Sequence, residues 1–175
     1  MTAADERGTR VMDSLPWPDH HHLLAAQGWL ELGNPGEALA ELAKVSALSR
    51  QHPAVLYLNW DIYAHRRDWE PSLRFAEELT RCQPDHPGGW ISLSFALHEL
   101  KRTAEARDNL LRVLPQFPDN PTMRYNLACY EAQLGNLDVA RRWLDAAFAL
   151  PGSEELKNAA PDDPDLTPLR LKPQS

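Results

Sequence analysis

Tyr125-Asn126-Leu127-Ala128-Cys129-Tyr130, running on through Leu134-Gly135-Asn136 to Ala147-Phe148-Ala149-Leu150, decides the fold. Leu127, Ala128, Leu134, Ala140, Leu144 and Ala147 lie at helical spacing. Gly135-Asn136 interrupts the stretch, so it reads as two amphipathic helices joined by a tight turn. A helix pair this short cannot bury its own apolar face. It needs neighbours of the same kind, and the chain upstream supplies them.

Proline recurs at Pro53, Pro87 and Pro121, each 34 residues from the last, and Pro84 and Pro118 repeat the interval. A small residue early in each second helix falls at Ala38, Ser72, Ala106 and Ala140. Leu42, Ala76, Leu110 and Leu144 form a further column, and Val45, Leu79, Val113 and Ala147 another. The turn before them holds Gly33-Asn34, Arg67-Asp68, Lys101-Arg102 and Gly135-Asn136. The register runs without insertion, which marks an array of repeated units.

The period within each unit is helical, not strand-like. First helices are expected at 20–32, 54–66, 88–100 and 122–134, and second helices at 35–49, 69–82, 103–116 and 137–149. Pro35 suits a first helical turn, where a missing N–H costs nothing. Gly33 and Gly135 can take the left-handed conformation that ends a helix, whereas Arg67 and Lys101 must do so against their Cβ, at about 1 kcal/mol. The first and last units are therefore expected to be the most regular. Residues 1–18 read as a partly disordered lead-in in which Leu15-Pro16-Trp17-Pro18 blocks a helix and Trp17 docks on the first one. Past Leu150, Pro151-Gly152 breaks the helix, and Ser153 is placed to cap a short helix over 154–160. Asp163 is placed to cap one more turn that turns Leu166 and Leu169 inward. Residues 171–175 read as a flexible tail.

A 34-residue helix–turn–helix period resembles the tetratricopeptide repeat. Trp90, Leu93, Ser94, Leu97, Ala106, Leu110, Val113 and Pro118 carry the resemblance in the third unit, and Leu127, Ala128, Gly135, Ala140, Leu144 and Ala147 in the fourth. Ala25-Ala26 and Trp29 match in the first. The second departs most, with Asn59-Trp60 where a large apolar and a small residue are usual. Asp162-Asp163-Pro164-Asp165-Leu166 to Leu169-Arg170 is similar to an ending found after the last repeat in bacterial proteins of this type. The resemblance implies an all-α, right-handed α-solenoid: units at 19–52, 53–86, 87–120 and 121–152, with a C-terminal cap over 153–170.

Composition narrows the function. The chain has 175 residues, enough to bury roughly 70% of its unfolded surface without a metal or disulfide. Its net charge of −7 argues against nucleic acid and against an anionic membrane surface. Cys82 and Cys129 lie in different units with no CxxC pattern, and read as structural thiols. No basic-then-apolar leader opens the sequence and no apolar run approaches the ~18 residues of a membrane span, so the cytoplasm is the expected compartment.

No catalytic constellation is legible. His20-His21-His22 point in different directions around a helix and cannot share one metal. Asp162, Asp163 and Asp165 lack the mid-loop glycine and closing glutamate of a calcium loop. His98-Glu99 are adjacent and splay apart. The expectation is no enzyme, no metal and no cofactor.

The resemblance implies that one face of each first helix lines a concave groove. The residues falling there are His20, Leu23, Gln27 and Leu30; Tyr57, Asp61 and His65; Ile91, Phe95 and His98; Tyr125 and Cys129. Glu31, Ala64, Glu99, Ala132 and Gln133 continue the same stripes. Two packings are open: the large side chains tuck against neighbouring helices, or they form an apolar, aromatic trough for a partner. Repeat proteins that grip the terminal carboxylates of heat-shock chaperones place Lys, Asn and Arg on this face. Here Leu23, Gln27, Tyr57, Asp61, Ile91 and Phe95 stand there, with no cationic pair. The expected function is a scaffold or adaptor that binds a peptide or partner helix, apolar with a basic residue or two, with Tyr57, Phe95 and Tyr125 as anchors. The alternatives are a chaperone for a secreted or unfolded client, and a self-associating structural protein.

Overall fold

The structure is a computed structural model and describes residues 15–170. Among these residues there is no strand, and ten α-helices follow one another. They are α1 (Trp17–Glu31), α2 (Pro35–Leu42), α3 (Pro53–His65), α4 (Trp69–Cys82), α5 (Pro87–Glu99), α6 (Thr103–Val113), α7 (Pro121–Gln133), α8 (Leu137–Phe148), α9 (Glu154–Ala159) and α10 (Thr167–Arg170). Pairs α1–α2, α3–α4, α5–α6 and α7–α8 are antiparallel hairpins, and each packs on the next. Helices α1, α3, α5 and α7 also meet one another in series. The arrangement is an α-solenoid.

The repeated columns are the solenoid's core. Ala38, Ser72, Ala106 and Ala140 are fully buried, as are Ala26, Ser94 and Ala128 of the facing column. Small side chains there let the two helices of a hairpin approach closely. Every hairpin turn has the same geometry. Gly33 (φ 72°), Arg67 (φ 55°), Lys101 (φ 64°) and Gly135 (φ 83°) are all left-handed. In each, the next residue's N–H reaches back to a carbonyl five residues earlier: Asn34 to Trp29, Asp68 to Tyr63, Arg102 to Leu97 and Asn136 to Glu131. This double closure satisfies the last carbonyls of the first helix. Arg67 and Lys101 adopt it because four stacked units demand one hairpin angle. The same column logic sets the helix starts, where His52, His86 and Asn120 accept a first-turn N–H ahead of Pro53, Pro87 and Pro121.

The first unit departs from expectation at both ends. Helix α1 begins at Trp17, not at 20, because Pro16 and Pro18 fall at its very start, where proline is tolerated. Trp17 does not dock inward; it is 73% exposed and lies 6.0 Å from the His21 ring on its own helix. Helix α2 stops at Leu42 rather than running to 49. The cause is Asp19. Its carboxylate is buried and accepts from Ser46 N–H (2.8 Å), Ser46 O–H (2.6 Å) and Ser49 O–H (2.5 Å). The Ser46 N–H is thus satisfied outside the helix, which keeps the helix from resuming. These bonds hold the Asp19 carboxyl below its ordinary range. The first unit is therefore the least regular, against the expectation that its glycine turn would make it regular. In the third unit the second helix ends at Val113 and tightens to a 3-10 turn over Leu114–Gln116, since Pro115 offers no N–H.

Beyond α8 the chain turns at Gly152 (φ 77°). Ser153 is fully buried, but its hydroxyl does not cap α9. It donates to Leu150 O (2.8 Å) and Phe148 O (3.1 Å), closing the end of α8 instead. Leu156, Ala160, Leu166 and Leu169 pack on the core beside Trp143, Leu144, Ala147 and Phe148. A 3-10 turn over Pro164–Leu166 precedes α10, and Asp163 accepts the N–H of Asp165 at its start (2.8 Å).

Candidate functional site

Successive first helices lay their equivalent residues side by side. One column is Leu23, Tyr57, Ile91, Tyr125; the next is Gln27, Asp61, Phe95, Cys129; a third is Leu30, Ala64, His98, Ala132; a fourth is Glu31, His65, Glu99, Gln133. The downstream half of this face is covered by the chain itself. The segment after α9 returns across α7 and lays its acidic turn on the columns. Tyr125 O–H donates to Asp163 Oδ2 (2.5 Å), and Cys129 Sγ lies 3.7 Å from the same oxygen. His98 Nε2 lies 3.1 Å from Asp165 Oδ2, and Gln133 Nε2 donates to the Asp165 carbonyl (2.9 Å). A carboxylate only accepts, so His98 Nε2 carries a proton, and Nδ1 lies 3.0 Å from the Thr103 hydroxyl, which can donate or accept. Burial and the adjacent Asp163 push the Tyr125 phenol and the Cys129 thiol well above their ordinary ranges.

Three corrections follow. Tyr125, Cys129 and His98 are not open to a partner; each is buried beneath residues 163–165. This face does hold carboxylates, but through hydroxyl, imidazole and amide donors rather than a Lys or Arg pair, and the carboxylates belong to the same chain. Leu30 is also removed from the groove, because it is buried in the first core cluster with Ala26, Ala38 and Ile62. Leu23 and Ile91 are partly buried against the cores. Gln27 is exposed and donates to Glu31 (3.3 Å).

The upstream half is uncovered. Tyr57 is 48% and Phe95 36% exposed, high values for aromatic side chains inside an array. Between α3, α4 and α5 lies a cleft of about 540 Å³ lined by Trp60, Asp61, Trp69, Phe95 and Glu99, among others. Phe95 stands edge-on to Trp69 at 5.6 Å, and Tyr57 leans on Trp60 at 5.3 Å. Trp60 occupies the column that elsewhere holds Ala26, Ser94 and Ala128, so its indole cannot sit between helices and spills toward the cleft. Its Nε1 is buried without a hydrogen-bond partner. Asn59 beside it satisfies itself on Val55 O (2.9 Å). His65 Nδ1 lies 3.1 Å from Asp61 Oδ1. Burial and the Asp61 charge raise the Tyr57 phenol. Sequence reasoning missed Trp69. The signal was present: its column reads Pro35, Trp69, Thr103, Leu137, and only one member is aromatic.

Elsewhere, His22 Nδ1 lies 3.0 Å from Glu41 Oε2, separate from its two histidine neighbours in role. Among the described residues no group of three His, Cys, Asp or Glu side chains is placed to hold a metal ion. Among them no helix is long and apolar enough to cross a membrane.

No family model matches the chain, and no curated protein matches it in sequence. Solved structures do match in shape. MamA from Desulfovibrio magneticus RS-1, residue 41 to the end, superposes with a TM-score of 0.68 at 19% identity, over 81% of this chain and 80% of that one. MamA AMB-1 gives 0.63 at 18% identity, over 85% and 82%. MamA MSR-1 gives 0.63 at 17%, over 81% and 78%. These are tetratricopeptide-like proteins, and identity this low speaks to fold alone. The solenoid is of the tetratricopeptide type.

Proposed function

We propose that the chain is a non-enzymatic scaffold that binds a peptide or partner helix in the upstream half of its concave face. The observation that carries this is the contrast between the halves. Downstream, the chain's own acidic turn covers Tyr125, Cys129 and His98. Upstream, the equivalent columns leave Tyr57 and Phe95 exposed around an aromatic cleft. Exposed aromatics of this kind are the usual anchors of an interface. The partner surface then comprises Leu23, Gln27, Tyr57, Asp61, His65, Ile91 and Phe95. Affinity capture with mass spectrometry tests it: the Tyr57→Ala, Phe95→Ala double variant should lose partners that the native chain retains. Equal capture, with helicity intact by circular dichroism, would sink the reading.

One observation favours a second reading, self-association. The first unit exposes Leu24, Leu32 and Leu48, the last at 96%. The opposite end of the array is covered by Leu166 and its neighbours. A solenoid end that shows apolar side chains tends to pair. Light scattering over a concentration series distinguishes a monomer from an assembly built this way.

A further inference from the structure

The covered and open halves of the groove are the same site, one repeat apart. Subtracting one period from the residues around Asp165 gives the lining of the upstream cleft. His98 becomes Ala64, Lys101 becomes Arg67, Thr103 becomes Trp69, and Gln133 becomes Glu99. Each change alters the chemistry in a consistent direction. The imidazole that donates to Asp165 becomes a methyl group, which opens space. The amide donor of Gln133 becomes a carboxylate acceptor. The hydroxyl of Thr103 becomes an indole face. A second carboxylate, Asp61, stands at the mouth, steadied by His65. A site that takes an acidic side chain downstream has been rebuilt upstream from two acceptors and three aromatic rings, those of Trp60, Trp69 and Phe95.

From this we infer that the cleft between α3, α4 and α5 receives an arginine side chain of the partner segment. The inference rests on the scaffold reading above and names the chemistry of its ligand. A guanidinium is flat, stacks on aromatic faces, and donates in a fork to carboxylates. It is more weakly hydrated than an ammonium, so it enters an aromatic cleft at less cost. The protein already makes this contact once within itself: the Arg112 guanidinium lies over the Trp90 ring, 5.6 Å from its centroid. Arg67 stands on the rim as an opposing cation, leaving Asp61 and Glu99 in the majority. The overall charge of −7 acts in the same sense at longer range.

The chain's own docked turn, Pro164-Asp165-Leu166, supplies the probe design. Three tripeptides with blocked ends are compared on the full chain: Pro-Arg-Leu, its citrulline counterpart, which keeps the shape and lacks the charge, and Pro-Asp-Leu. Binding is read from the indole N–H signals of Trp60 and Trp69 in a two-dimensional NMR titration at millimolar peptide. The Arg peptide should move both signals. The citrulline peptide should need at least tenfold more, and the Asp peptide should leave both unmoved. Glu99→Gln should weaken the Arg peptide severalfold, and Arg67→Ala should strengthen it. Arg and citrulline peptides acting alike would overturn the inference and leave an apolar groove. A preference for the Asp peptide would overturn it too, by showing that Arg67 dominates. So would the absence of any shift with the Arg peptide. None of these results touches the scaffold reading, which fails only if the Tyr57, Phe95 double variant keeps its partners.

Discussion

Lys101 shows how a repeat imposes geometry on a residue ill suited to it. Its φ of 64° is one that a glycine adopts freely and a side-chain-bearing residue does not. The same turn is made without that strain at Gly33 and Gly135. Lys101→Gly should therefore stabilise the fold by about 0.5–1 kcal/mol, the relief of strain being partly offset by the greater freedom of an unfolded glycine. Thermal or urea melts measure it, and a destabilised variant would refute the account. Asp19 makes the opposite case, a residue whose hydrogen bonds reshape the backbone. Its carboxyl is held below the ordinary value by Ser46 and Ser49, so its contribution is complete above the unfolded value of about 3.9 and is lost as pH falls through the lower folded one. The stability gap between native chain and Asp19→Asn should stay constant through neutral pH and close only below about pH 4. Urea melts at several pH values show whether it does.

At the scale of elements, the cap acts both as end cover and as groove filler. Leu166 is 2% exposed within the main cluster, and its change to alanine should cost about 2–4 kcal/mol. The same change should loosen the Asp163 contact and expose Cys129. In the native chain Cys82 is exposed and Cys129 buried, so iodoacetamide should label Cys82 alone. In Leu166→Ala, labelling of Cys129 should rise markedly while the helix content holds. Labelling unchanged from native would mean that the turn does not guard the groove. This double role is also where sequence reading ran short. The hairpins were legible because their determinants are local: Pro121, Gly135 and Ala140 sit at fixed spacing within one unit. The capping turn at Asp163 and the inward Leu166 were legible for the same reason. The docking of that turn onto Tyr125 and His98 was not, since it joins residues 38 and 67 positions apart. No periodicity encodes such a contact, and the columns alone could not separate a covered Tyr125 from an open Tyr57. Trp60 was legible as an anomaly, but its lean against the Tyr57 ring was not.

Over the whole molecule the core falls into two clusters. One joins Leu73 of α4 and the third and fourth units to the cap, and the other joins the first unit to α3. In a stack of units held by neighbours, the less covered end opens first. Hydrogen exchange should thus be slowest in α7, where Met123, Leu127, Ala128 and Tyr130 are buried, and fastest in the shortened α2. Uniform protection along the array would contradict this. The docked turn has a further consequence. It fences the groove, so under the proposed scaffold reading a partner lying against Tyr57 and Phe95 would meet a wall at His98 and Asp165. Under that reading, the groove would hold only the stretch of a partner that lies upstream of this wall. Recognition of that kind would be read from a brief word rather than from a folded surface, and such a word could be carried by unrelated proteins, gained or lost by a single codon change, and grafted onto a new carrier intact.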